Sequence, residues 1–388
     1  MTNIWTGIVF PITYLYLVRI MGVLLFTPIF SASIEHIPHA TPFLVGVAIG
    51  IFGLTQAILQ IPFGAWSDKF GRKKLINIGL SCYLLGSVLG IMAGSVYTLI
   101  LARIVQGLGA ISAVLSALLV DLTPESVRLK AFVFLGIMIA ILFMVCMVIS
   151  PVLVDYFGLS VLFYILAGLS LTGLVINQYV IPNPGRNLTP SIERASIRGL
   201  LKDKKLSVLN HSILIQHLLV CSTFYAVPIV LKHLVQRGEL SSALYFYAPS
   251  LSLSFVLIVP LIRLSETYRL AKPLFLVTIA TYSVIQFSMG FKPGIHTLIF
   301  LFTLYFTAFN FIESNLYAFI SNHCSPATRG TVLGLFNSYQ FLGFFLGGVC
   351  AGVIDQFFPL HTLFIFNGLL AVVWFFYSFR LFKQDNRP

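Results

Sequence analysis

Charge is scarce in this sequence. Only 9% of its 388 residues are charged while 58% are hydrophobic, and the mean hydropathy is +0.96; soluble domains carry about 25% charge. That shortage excludes a protein whose main solvent is water. Cysteines are few too: Cys82, Cys146, Cys221, Cys324 and Cys350 lie in or beside apolar runs with no CxxC or CxxH spacing, which leaves them as packing residues and provides no metal motif. HExxH, a nucleophile elbow and a nucleotide-binding loop are all missing, which argues against a membrane-embedded enzyme such as a lipid transferase. The stretch Met1 to Phe30 lacks a positive n-region and a small-residue cleavage pattern, so it reads as a first membrane helix rather than a signal peptide.

Long apolar runs are what the chain has in abundance. A bilayer core about 30 Å thick takes roughly 20 helical residues, and such runs recur near 5–30, 42–66, 75–94, 96–120, 129–153 and 160–181, then near 208–232, 242–262, 273–291, 295–320, 329–354 and 360–382. They are continuous rather than alternating, which excludes a spanning β-barrel. The expected fold class is all-α integral membrane, with twelve transmembrane helices in two pseudo-symmetric six-helix bundles, 1–181 and 208–388, joined by a basic cytoplasmic linker over 182–207. The clearest trace of the repeat is a charged loop after the second helix of each half, Asp68 to Lys74 and Arg263 to Lys272. Within the linker, Ser191 to Leu206 alternates basic and apolar residues as an amphipathic helix on the inner leaflet would.

The net charge of +12 does not point to nucleic acid, because the Lys and Arg residues sit in short loops between spans. With the amino terminus inside, nineteen of the 24 fall on the cytoplasmic side and three, Lys232, Arg237 and Lys292, on the opposite side; Arg19 and Arg103 lie within helices. The positive-inside rule therefore predicts both termini in the cytoplasm.

Ionisable residues at bilayer depth are costly and are functional candidates by default. Arg19, Arg103, His217 and Glu313 qualify, and Glu313 is the one acid that the expected spans place well inside a helix, which makes it the first candidate for carrying a proton. Arg103 either tunes that proton site, binds an anionic substrate group or braces helices through carbonyls. Gln56, Gln60, Gln106, Asn310, Asn315 and Gln340 offer neutral hydrogen bonds, to a solute or between helices. Aromatics reach 14%, with 36 Phe, including Phe302, Phe306, Phe309 and Phe311 near Glu313; an aromatic pocket with few polar groups suits lipophilic or amphiphilic solutes.

Two motifs carry a family resemblance. Gly64-Ala-Trp-Ser-Asp68-Lys-Phe-Gly71-Arg72-Lys-Lys74 resembles the GxxxDxxGRK[K/R] loop of the major facilitator superfamily, and Arg103-Ile-Val-Gln106-Gly107-Leu-Gly109-Ala110 resembles the RxxQGxGA block of its drug/proton antiporter branch. Ser150-Pro151 stands where that branch usually shows Gly-Pro. In the second half, Phe309 to Glu313, Ser325 to Gly330 and Gln340 to Gly343 look like YajR-type bacterial exporters. Those carry a soluble domain after the last helix, whereas this chain stops at Pro388, so regulation through such a domain is expected to be absent.

The resemblance implies that helices one, four, seven and ten line a central cavity, so that Arg19, Arg103, His217 and Glu313, with Gln106 and Asn310, face one polar space. It also implies a conformational gate: Gly64 and Gly71 shape the loop, Asp68 meets the start of the eleventh helix near Arg329 and Gly330, and Arg72 is shared between Asp68 and Asp121. The function so implied is a proton-coupled secondary transporter of the bacterial inner membrane, exporting drug-like amphiphiles or metabolites by alternating access. It would work as a monomer, with a small-molecule substrate and protons as partners, no cofactor, and the proton gradient as driving force. Export of a siderophore or other endogenous metabolite, and proton-coupled import of a sugar or organic acid, are the alternatives.

Overall fold

The computed structural model describes residues 4–35, 37–184, 197–324 and 329–384. Its contacts divide into two compact units, Met1–Ser191 and Ile192–Pro388. In the first unit a widened turn at Trp5–Val9 runs into α1 (Phe10–Leu24), followed by α2 (Phe30–Ile34), α3 (Pro42–Phe70), α4 (Arg72–Ile91), α5 (Val96–Gly107), α6 (Ser112–Leu122), α7 (Glu125–Phe157) and α8 (Ser160–Tyr179). The second holds α9 (Ile197–Lys202), α10 (Lys204–Gln236), α11 (Leu244–Thr267), α12 (Ala271–Gly290), α13 (Ile295–His323), α14 (Arg329–Phe357) and α15 (Thr362–Gln384). Among the described residues, twelve spans are long and apolar enough to cross a membrane, the fourth being α5 and α6 together. The chain is an all-helical multi-pass membrane protein.

Local chemistry sets the boundaries. Thr41 accepts the amide of Leu44 at 3.3 Å ahead of Pro42, and Ser95 and Thr98 form a reciprocal capping box before α5. Asp203 accepts the amides of Lys205 and Leu206 at 2.9 and 3.1 Å and starts α10 at Lys204, inside the stretch expected to be linker. Of the expected amphipathic helix, Ile197–Lys202 is helical, while 185–196, with Arg186 and Arg194, lie outside the described residues.

Three expectations need correction. The first helix ends at Leu24, and a turn leads into the separate short helix α2 instead of continuing to residue 30. The fourth run is not continuous: the helix stops at Gly107 and restarts at Ser112. Around the break, Ala110 N–H bonds the Leu108 carbonyl and Ile111 N–H the Gly109 carbonyl, both at 2.9 Å, in tight turns that replace the helical ladder. Nor is the Gly64 to Lys74 motif a loop, because α3 runs to Phe70 and α4 begins at Arg72. The reversal is made at Gly71 alone, with φ +98° and ψ 140°, a conformation open to glycine and strained for other residues.

Packing differs from helix to helix. In the first unit Val18, Leu80, Ile111, Leu115 and Leu118 are fully buried in one apolar cluster. By contrast α7 presents Leu129, Val133, Ile137, Ile141, Val145 and Ile149, every fourth residue, as an exposed apolar stripe, which in a bilayer is a face for acyl chains. In the second unit α10 is the enclosed helix, with every residue from Leu218 to Ile229 buried. Thr223 there accepts from Gln286 at 2.8 Å and from Asn367 at 3.4 Å, tying α10 to α12 and α15 without charge.

Candidate functional site

The sequence-predicted residues form three groups, two in the first unit and one in the second. The first is the charged corner where α3 turns into α4. Arg72 Nη1 lies 2.5 Å from Asp68 Oδ1 and donates to Ser67 Oγ, while Arg72 Nε donates to Asp121 Oδ2 at 3.1 Å. Ser67, which sequence reasoning did not single out, donates its own hydroxyl hydrogen bond to the Gly64 carbonyl at 2.7 Å. The Asp68 and Asp121 side chains are 52% and 38% exposed, so each pair contributes only about 0 to 1 kcal/mol as a static bond. A Cβ at Gly64 would meet Ala113 at an ordinary 3.8 Å, so space inside this unit does not demand glycine there. The expected partner of Asp68 near Arg329 and Gly330 belongs to the second unit, and 325–328 lie outside the described residues.

The second group surrounds the break in the fourth span. Arg103 is buried, its guanidinium centred 4.6 Å from the Phe26 ring, 4.8 Å from Phe52 and 5.7 Å from Phe30. Its Nη1 donates to the Gly22 carbonyl at 2.7 Å and to Gln106 Oε1 at 2.9 Å. Gly22 lies in the last turn of α1, where the Leu25 amide goes to Met21 and the Phe26 and Thr27 amides to Val23, and where a cation is favourable. Gln106 in turn donates to Ser87 Oγ at 3.0 Å on α4. Arg19 donates to Gln56 Oε1, and Gln56 Nε2 donates to the Gly107 carbonyl at 2.8 Å, the end of α5. A Cβ at Gly107 would overlap Thr55 Oγ1, and one at Gly109 would come within 2.5 Å of the Gly79 carbonyl. The RxxQGxGA block is thus a junction: its arginine closes the end of α1, its glutamine reaches α4, and its glycines let α3 and α4 approach the unwound segment. Arg103 occupies the helix-bracing geometry, and its hydrogen-bond partners are neutral.

The third group joins α10, α13 and α14. Gln340 Nε2 donates to Glu313 Oε1 at 3.1 Å and lies 2.8 Å from His217 Nε2. His217 Nδ1 is 3.2 Å from the Ile213 carbonyl of its own helix and 4.0 Å from Glu313 Oε2. Glu313 Oε2 is buried with no hydrogen-bond partner. The Tyr317 hydroxyl lies 3.3 Å from both Gln340 Oε1 and Asn337 Oδ1. Sequence reasoning missed Tyr317, although it sits one turn from Glu313 at i+4, the spacing that would have found it. Asn310 does not join this group: its Nδ2 turns back to the Phe306 carbonyl at 2.8 Å, and the Phe309 carbonyl accepts from Gln216 at 3.0 Å. An aromatic wall lies alongside, with Phe309 edge-on to His217 at 5.9 Å and Phe306 packed against Phe309, Phe302 and Phe224. No group of three or more His, Cys, Asp or Glu able to hold a metal occurs among the described residues.

Comparison with known proteins fits this architecture. Residues 12–348 match the family model of the Major Facilitator Superfamily. The inner membrane transport protein YajR of Escherichia coli (strain K12) is 34% identical over 92% of this chain and 79% of its own length. The multidrug resistance protein MdtH of Proteus mirabilis (strain HI4320) is 24% identical over 79% of this chain and 75% of its own. A crystal structure of the nucleoside transporter NupG superposes with a TM-score of 0.71 at 15% identity, covering 95% of this chain and 99% of that one.

Proposed function

Because this chain belongs to the major facilitator superfamily, and is a multi-pass transporter of the inner membrane rather than an enzyme, we propose that it exports lipophilic or amphiphilic compounds in exchange for protons, with Glu313 as the proton carrier. The observation that carries this reading is the Glu313 side chain: an acid deep in a span, held through one oxygen by a neutral amide while its other oxygen is buried and unpartnered. Among the described residues no permanent cation fixes its charge; its basic neighbour, His217, stands 4.0 Å away and is itself titratable. Such a carboxyl changes charge at modest structural cost, which is what a carrier needs. The adjoining Phe302, Phe306 and Phe309 supply an apolar surface for a solute. Kinship with a multidrug resistance protein supports export over import.

The charged corner serves as the gate in this reading. Two half-exposed ion pairs on Arg72 are weak enough to exchange partners as the halves alternate, and Gly71 keeps them in register. Protons are the only co-substrate, no cofactor takes part, both termini face the cytoplasm, and the protein works as a monomer.

Proteoliposomes loaded at one pH and diluted into another test the proposal with a lipophilic cation dye and a panel of amphiphiles. Wild-type protein is expected to move a substrate when the pH gradient is imposed, and Glu313→Gln to lose gradient-driven transport while still exchanging substrate. Gradient-driven transport by Glu313→Gln at the wild-type rate would overturn the assignment.

A further inference from the structure

The third group contains a bonding conflict that one residue resolves. Gln340 Nε2 carries two hydrogens and stands within bonding distance of two atoms, His217 Nε2 at 2.8 Å and Glu313 Oε1 at 3.1 Å. An amide nitrogen has no acceptor capacity, so His217 Nε2 accepts and is bare of a proton. The other ring nitrogen agrees, because Nδ1 faces the Ile213 carbonyl at 3.2 Å, a partner that only an N–H can bond. His217 is therefore the neutral Nδ1–H tautomer here. Turning the amide over would set Gln340 Oε1 against the Glu313 carboxylate oxygen at 3.1 Å and against a ring nitrogen left bare by the Nδ1–H bond; the Tyr317 contact at 3.3 Å would survive with its direction reversed, the hydroxyl accepting from the amide.

We propose that Gln340 is a positioning residue that keeps the proton off His217 and confines it to Glu313. This rests on the reading of Glu313 as the proton carrier and deepens it. A proton arriving at His217 Nε2 would meet an amide N–H 2.8 Å away, donor against donor. The ring can charge only after the Gln340 amide rotates by half a turn, and that rotation removes the hydrogen bond on Glu313 Oε1 and turns an oxygen toward it. The unpartnered Glu313 Oε2, by contrast, takes a proton with no rearrangement, since Oε1 keeps accepting from Gln340 whether the group is acid or carboxylate. One amide thereby makes a pair of titratable neighbours behave as a single-proton site.

The surroundings offer no competing charge among the described residues. On α13 the other titratable group at this level is the Tyr317 phenol, and α14 contributes the neutral Asn337 and Gln340. His211, further back on α10, is engaged elsewhere, with the Ser207 carbonyl at 2.7 Å and the rings of Tyr339 and Tyr377.

The test is nitrogen NMR of the full chain, 15N-labelled at histidine and reconstituted in nanodiscs, with His217 assigned through His217→Gln. Wild-type His217 is expected to show one protonated and one bare ring nitrogen, the bare one being Nε2, unchanged between about pH 5 and 8. In Gln340→Met, which keeps the bulk and removes the donor, the same ring is expected to become doubly protonated on acidification. Gln340→Asn, which retains an amide on a shorter arm, is expected to fall between. An Nε2–H tautomer in the wild type, or an imidazolium signal there within that range, would overturn the proposal without recourse to any variant, as would a Gln340→Met ring that stays neutral in folded protein. A 13C titration of the Glu313 carboxyl in the same samples reads the carrier assignment separately: a carboxyl that never changes charge sinks that assignment and leaves the tautomer result standing.

Discussion

Gly71 and Asp203 each show one side chain, or the want of one, deciding a local structure. At Gly71 nothing lies within 4 Å of a Cβ, so the cost of substitution is conformational and not steric. Gly71→Ala is expected to cost about 1 to 3 kcal/mol, read as a lower unfolding temperature in detergent, whereas Gly64→Ala is expected to leave stability unchanged. Burial alone would raise the Asp203 carboxyl, but hydrogen bonds from His323 at 2.9 Å and from the Leu206 and Lys205 amides outweigh it and hold the group below the usual carboxylate range. A depressed folded pKa means that its stabilisation is present above the unfolded value near 3.9 and disappears as pH falls through the folded one. Asp203→Ala is accordingly expected to lose about 1 kcal/mol at neutral pH, the usual worth of a helix cap, with the melting difference from wild type closing below about pH 4. The candidates legible at this scale were those whose type is rare in lipid, as Glu313 and Arg103 are. Tyr317 and the Phe26, Phe30 and Phe52 cage stayed hidden because tyrosine and phenylalanine are common throughout such a chain and only their placement sets them apart.

At the scale of elements, hydropathy located the spans but not their interruptions. Val96 to Val120 is apolar enough to read as one rod, and at the break the Gly107 carbonyl accepts from a residue remote in sequence, Gln56, while the Ile111 amide turns to Gly109. The same blindness turned the Gly64 to Lys74 motif into a loop, since its charges read as solvent-exposed chain although ten of the eleven residues are helical. Gly107→Ala probes the junction directly. The added methyl overlaps Thr55 Oγ1 and sits 3.0 Å from the Phe52 carbonyl, so a loss of about 1 to 3 kcal/mol is expected. Adding Thr55→Ala should recover part of it, because the Oγ1 overlap is then gone while the Cβ of residue 55, 2.9 Å away, and the Phe52 carbonyl remain; full recovery would show that both can give way.

For the whole molecule, composition was sufficient for the class and charge placement for a sidedness that labelling can examine. In a variant with its five cysteines replaced, Lys130→Cys is expected to react with an impermeant maleimide only from the cytoplasmic side and Lys292→Cys only from the opposite one. Reversed reactivity would contradict the assignment of the termini to the cytoplasm. Substrate identity was illegible for a physical reason: an aromatic wall discriminates by shape and area, and neither is written in residue types alone.

A hinge of one residue has a mechanical side. Helices of 29 and 20 residues meet at Gly71 with that one residue between them, and α3 carries Pro62 between Gln56 and this corner. Gln56, which bonds the end of α5, and Asp68, which pairs with Arg72 at the root of α4, both stand on α3. The arginine junction in the interior and the acidic corner at the surface therefore hang on one helix, so a disturbance at one is expected to be detectable at the other.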